Sequence, residues 1–204
     1  LRFADAQVSK VILSKKCQQS RVVNNQNTSA QDDKITPMTP KPLHICMLID
    51  AWFPFIGGGQ IHIKHLIQHL EATHSVKITL FHAPNHHTII RSLWLLWVIP
   101  QAVIYHLFSP FDLIHAHAFA PGLPGKILSL IISKPIIFTV HGSHLMDIQA
   151  RGFKFWLERF ILTRIRYTHQ ISVTKSFTKY PNVNKNISVI SNGVDIKEFN
   201  KTIK

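Results

Sequence analysis

The 204-residue chain is 46% hydrophobic, enough to bury the core of one large domain or two small ones, which excludes an intrinsically disordered protein. Lysine and arginine number 23 against 10 aspartates and glutamates, a formal net charge of +13, so the surface favours an anionic partner: nucleic acid, acidic lipid or a phosphorylated ligand. Of the two cysteines, Cys17 lies in a polar leader and Cys46 in an apolar run. This is neither a disulfide framework nor a zinc-ligand spacing, and it fits a reducing compartment.

Residues 1–42 combine scattered charge, a polar run from Gln18 to Lys34 and then Pro37, Pro40 and Pro42, the composition of an extended leader. Val8, Val11, Ile12 and Leu13 form too short and interrupted a stretch for a signal-peptide core, which argues against secretion. The chain begins at Leu1 rather than Met and stops soon after a loop-like Asn192-Gly193, as a piece of a longer protein would.

From Leu43 onward, apolar runs alternate with helix-like segments. His44–Ile49 reads as a buried strand, and Gly57-Gly58-Gly59 leads into a helix from Gln60 to Thr73 with Ile63, Leu66, Ile67 and Leu70 as its apolar stripe. Strands are predicted at 76–81, 113–117, 135–140, 169–174 and 187–190, and helices at 126–132 and 153–167. Pro121, Gly122, Pro124 and Gly125 read as a loop between the third strand and its helix. The alternation predicts an α/β fold, a Rossmann-like parallel sheet with helices on both faces. The domain boundaries follow: a leader 1–42, a domain 43–195 and the start of a linker at 196–204.

Ligands of such sheets bind beyond the carboxyl ends of the strands, so the residues following each strand carry the functional reading. Gly57-Gly58-Gly59 sits between a strand and a helix, where bare amides and the helix dipole can approach a phosphate; the alternative is a tight turn that binds nothing. His141-Gly142 ends a strand expected in the middle of the sheet. A neutral imidazole there can hydrogen-bond a sugar hydroxyl, with Ser143, His144 and Asp147 adding polar capacity; the alternative is a turn histidine bonded to backbone. His62, His65 and His69 share a rough helix face and His115 and His117 one strand face, but no H-E-x-x-H motif and no cysteine or carboxylate partner completes a ligand set, so no metal is expected.

Two stretches raise the membrane question. Ser92 to Phe111 carries no Asp, Glu, Lys or Arg over about the length that could span a bilayer, interrupted by Pro100, Gln101 and His106. Residues 151–167 read as a basic amphipathic helix, with Phe153, Trp156, Phe160 and Ile165 near one face and five cations against one carboxylate. That pattern suits an anionic membrane surface; the alternative is a core helix with a solvated basic side. No nucleic-acid-binding motif accompanies the charge, and no nucleic-acid partner is expected.

The ordered segments PLHICMLIDAWFPFIGGGQIHIKHLIQHLEATHSVKITLF, FDLIHAHAFAPG, FTVHG, HQISVTKSF and ISVISNGVDIKEF resemble the amino-terminal domain of family 4 glycosyltransferases of GT-B fold, over residues 42–200. The resemblance implies one half of a GT-B fold and retaining transfer of a sugar from a nucleotide-diphosphate sugar, with no metal or other cofactor. It implies that Gly57, Gly58 and Gly59 approach the donor diphosphate and that His141 acts near the reacting carbon. Gln60, His62, His117 and Ser143 would line the acceptor side, and Asn192-Gly193-Val194-Asp195 would lead into a second domain. That domain, which would supply the rest of the donor site, is absent, so a separate donor-domain chain is an implied partner beside a glycan or lipid-linked acceptor. The implied location is cytoplasmic, peripheral on the membrane. A rival reading is a non-catalytic α/β module that docks on a membrane or a partner protein.

Overall fold

Seven consecutive residues after Pro42 are extended and all but the first are buried, so the run Leu43–Ile49 (β1) is covered on both faces and must lie inside a sheet. A computed structural model, which describes residues 41–54, 56–85, 87–142 and 151–191, places them in a compact unit spanning Pro42–Ser191. After β1 come α1 (Gly58–Thr73), β2 (Val76–His82), α2 (Thr88–Phe108), β3 (Leu113–His117), α3 (Phe119–Ile131), β4 (Ile136–Val140), α4 (Phe153–Arg164), β5 (His169–Ser172) and β6 (Ile187–Val189). A short 3-10 turn, Lys175–Lys179, lies between the last two strands.

The strands form one parallel sheet in the order β2-β1-β3-β4-β5-β6. The chain steps outward from β1 to β2 and then returns past β1 to β3, so right-handed crossovers put α1 on one face and α2, α3 and α4 on the other. Side-chain alternation in β1 agrees. Cys46 and Leu48 join a core with Trp94, Val98 and Ala102 of α2, Leu128 of α3 and Ile161 and Leu162 of α4, whereas Ile45, Met47 and Ile49 point to the face that α1 covers. This is the architecture of one Rossmann-like half of a GT-B protein. Burial pushes the thiol of Cys46 well above its ordinary range, consistent with an inert core residue.

One local expectation is corrected. Pro121–Gly125 is not a loop but the first half of α3. Pro121 stands in the first turn, where a missing N–H costs nothing, and the two glycines let the helix lie on the sheet. A Cβ on Gly122 would come within 2.9 Å of Phe138, Ile161 and Tyr167, and one on Gly125 within 3.1 Å of Ala116 and Ile136. Helix α4 also ends earlier than expected, at Arg164, and the apolar run after Ser92 belongs to a helix that packs on the sheet through Trp94, Val98 and Ala102.

Candidate functional site

The chain order reverses direction between β1 and β3, which opens a crevice at the carboxyl ends of these strands. The sequence sends glycine there. Gly57, in extended conformation, caps α1 without a side-chain hydrogen bond, and no acidic residue occupies the first turn. The positive end of the helix and its first amides are therefore not neutralised locally by a side-chain carboxylate. A Cβ on Gly58 would meet nothing within 4 Å, and one on Gly59 would lie 4.0 Å from Cγ of His141. The helix start thus stands directly beside that imidazole.

Four histidines converge behind it. His115 and His117 sit on the same side of β3, with ring centroids 3.9 Å apart. Pairing of β3 with β4 sets His117 opposite Thr139, which brings its ring under that of His141 just past the strand end. Nδ1 of His117 lies 3.0 Å from Nε2 of His141. The ring centroid of His62 on α1 lies 5.3 Å from that of His141, and His115 is tied off by Oγ1 of Thr139 at 2.8 Å.

This environment keeps the rings neutral. Burial, reinforced by His62, lowers His141 to about 4. Burial, then His141 and His62, lowers His115 to about 3, and burial above all holds His117 well below its ordinary value. Two neutral imidazoles facing each other share one proton: one ring donates and the other accepts. Nε2 of His117 and Nδ1 of His141 are buried with no hydrogen-bond partner among the described residues. By the same proton count, one of these two outer nitrogens is a donor and the other an acceptor. The two outer nitrogens exchange these roles when the rings swap tautomers together.

The crevice gathers Gly57, Gly58, Gly59, Gln60, His62 and His141, and places His117 fully buried behind His141, in contact with that ring. The Gln60 side chain reaches back to the carbonyl of Ala51 at 3.4 Å. Ser143, His144, Asp147 and the segment from Asn192 to Asp195 lie outside the described residues. Two arrangements involving the segment after β1 emerge only in three dimensions. Asp50, buried at the end of β1, forms an ion pair with Arg91 of α2. Beside it is a cleft lined by Trp52, Phe53 and Pro54 after β1 and by Ala83, Pro84 and Asn85 after β2, with Lys64 over the Phe53 ring at 5.5 Å. The aromatic run after the first strand was the available signal for the cleft. Nothing local marks the ion pair, whose members are 41 residues apart. Among the described residues, no group of three or more His, Cys, Asp or Glu side chains is arranged to hold a metal ion.

The sequence pattern of Glycosyltransferase Family 4 matches residues 56–198, more than half of the chain. The chain belongs to this family. Solved structures similar to this family 4 domain include sucrose-phosphate synthase from Thermosynechococcus elongatus, 16% identical with a TM-score of 0.61 over 76% of this chain and 49% of that one. HepE of Anabaena, solved with UDP and glucose, is 17% identical with a TM-score of 0.50 over 76% of this chain and 46% of its own. MnaA of S. aureus, solved with UDP, is 13% identical with a TM-score of 0.51 over 72% and 43%. The family 4 domain spans less than half the length of each of these proteins, and at such identities the likeness establishes the fold alone. No curated protein matches the chain in sequence.

Proposed function

We propose that this domain is the acceptor-side half of a retaining glycosyltransferase that takes its sugar from a nucleotide-diphosphate donor and is completed by a donor domain on a further segment or a separate chain. The observation that carries the reading is the neutral His141 set against the uncapped glycine start of α1, at the crevice where the strand order reverses. The first amides of α1, unobstructed by Cβ atoms at Gly57–Gly59, would receive the diphosphate that leaves with the electron pair of the glycosidic bond. A neutral imidazole can hydrogen-bond the sugar without competing as a cation for that diphosphate. Trp52, Phe53 and Asn85 would line the place of a glycan or lipid-linked acceptor, the aromatic faces packing on its apolar side. The chemistry asks for a positioned leaving group and acceptor, which these residues supply without a metal. UDP in the HepE and MnaA structures supports a nucleotide sugar as donor.

A second reading, a module that docks on a membrane or a partner protein without catalysis, draws on one observation. Phe153, Trp156 and Phe160 of α4 stack in the open, their ring centroids 5.9 and 5.6 Å apart, among basic neighbours. Under either reading the protein would be cytoplasmic and peripheral on the membrane.

Calorimetric titration of the chain with UDP, GDP and their sugar conjugates, with and without chelator, tests the first reading. The expected result is chelator-insensitive binding that Gly58→Val abolishes and His141→Ala weakens. Absence of binding to any of them removes the donor role from this crevice. Docking that survives both substitutions, with no nucleotide binding, would instead support the second reading.

A further inference from the structure

The helix layer α2-α3-α4 turns an apolar face outward. The three helices lie side by side, α2 against α3 and α3 against α4. At 100° per residue, Leu96, Trp97, Leu107 and Phe108 fall within an arc of about 120° on the side of α2 away from Trp94 and Val98 in the core. Leu130 continues this face on α3 and Trp156 on α4, and these six side chains are between 59% and 87% exposed. A soluble surface rarely leaves so many large apolar groups together without a partner.

The charges around the face select the occupant. Helices α2 and α3 contain no aspartate or glutamate, and the one carboxylate of α4, Glu158, is turned inward and buried. Cations are present: Lys126 beside the exposed arc of α3, Lys154 and Arg159 exposed on α4, and Lys77 against Ser109 at the carboxyl end of α2, Nζ to Oγ 3.4 Å. A second copy would set cations against cations. A sheet of acidic headgroups over hydrocarbon complements both features, with the apolar groups at the acyl boundary and the long basic side chains reaching back to the phosphates.

We propose that the outward face of α2, α3 and α4 seats this domain flat on a bilayer containing anionic lipid, with α2 lying in the interface. Helix α2 has the length and apolarity to cross a membrane, but its Trp94, Val98 and Ala102 face is built into the core of the sheet, so it lies on the bilayer rather than across it. The seat extends beyond the basic α4 to the charge-free run 92–111 before it. Docking does not depend on the transferase reading. If that reading holds, the amino end of α2, where Arg91 meets Asp50 beside the crevice, would bring the crevice to the headgroup level, where a lipid-linked acceptor presents its polar head.

The test is flotation of the full chain with vesicles of phosphatidylcholine alone or mixed with phosphatidylglycerol, with no nucleotide present. Binding to the anionic vesicles is expected to exceed that to the neutral ones by about tenfold or more, and Leu96→Gln with Leu130→Gln is expected to lower it by about tenfold, with an unchanged circular dichroism spectrum. With brominated lipid, single-tryptophan variants should show quenching of Trp97 and Trp156 but not of Trp94, which is in the core, or Trp52, which is at the cleft. Failure to float together with a dimer in sedimentation would assign the face to a second copy and overturn the proposal. Flotation that is indifferent to the two glutamines would also overturn it, because the contact would then lie elsewhere. Nucleotide titration is a separate measurement, so failure of this proposal leaves the transferase reading standing, and the reverse.

Discussion

Nδ1 of His117 and Nε2 of His141 lie 3.0 Å apart, one ring at the end of β3 and the other just beyond β4, and at neutral pH a single proton lies between them. The outer nitrogens of the pair are consequently complementary, one a donor and one an acceptor. His117 thus governs the tautomer of His141.

Imidazole nitrogen spectra of the 15N-labelled chain test this directly. Both rings are expected to stay neutral at pH 6, with His141 titrating at about 4. His117→Ala, which opens the ring's inner side to water, is expected to bring that midpoint up towards the ordinary value near 6.5. An unmoved midpoint would mean that the contact does not set the state of His141.

Stability should fall in mild acid. His141 and His115 have depressed values in the folded chain, so the unfolded chain binds their protons first. Their penalty is absent above about pH 6.5 and grows as the pH falls through the window down to about 4, where His141 begins to charge in the folded state. For His141 alone the loss is on the order of 3 kcal/mol. Urea unfolding at pH 7 and pH 4.5 should show it, and His141→Asn should flatten the slope; parallel slopes in the two proteins would refute the assignment.

Two glycines should respond in opposite ways. Gly122→Ala forces a methyl group to 2.9 Å from three packed side chains and is expected to cost about 1–3 kcal/mol. Gly58→Ala enters open space at a helix start and should change stability by less than about 0.5 kcal/mol, while impairing nucleotide binding if the amide is the phosphate contact. Denaturation and calorimetry on the same pair of variants check both halves.

Asn184 fastens the connection into β5. It accepts from the Tyr167 amide at 2.8 Å and donates to the Ile165 carbonyl at 2.8 Å, both buried. Asn184→Ala leaves two backbone groups without partners and is expected to cost about 3 kcal/mol by urea unfolding. A loss below about 1 kcal/mol would show that water replaces it.

The strands were legible because both faces of this sheet are covered, so runs such as His44–Ile49 and Ile136–Val140 are almost continuously apolar, broken only by His44 and Thr139, and stand out without periodicity. The start of α3 was not. Pro121, Gly122, Pro124 and Gly125 carry turn chemistry locally, and only the crowding from Phe138, Ile161 and Tyr167 explains why small residues are needed in a helix there. At the crevice, glycines and His141 could be located from their positions after strands. The partnership of His117 with His141, and of Asp50 with Arg91, follows from strand register and helix placement, which no spacing along the chain encodes.

The pairing of His117 with Thr139 across β3 and β4 also makes the crevice a gauge of sheet alignment. Side chains alternate between faces along a strand, so a slip of a single residue would turn His117 towards the opposite layer and leave His141 without its neighbour. The contact between the two rings therefore exists only in the correctly threaded sheet, and loss of the hydrogen bond between them would report a misaligned strand even where the overall helix and strand content was unchanged.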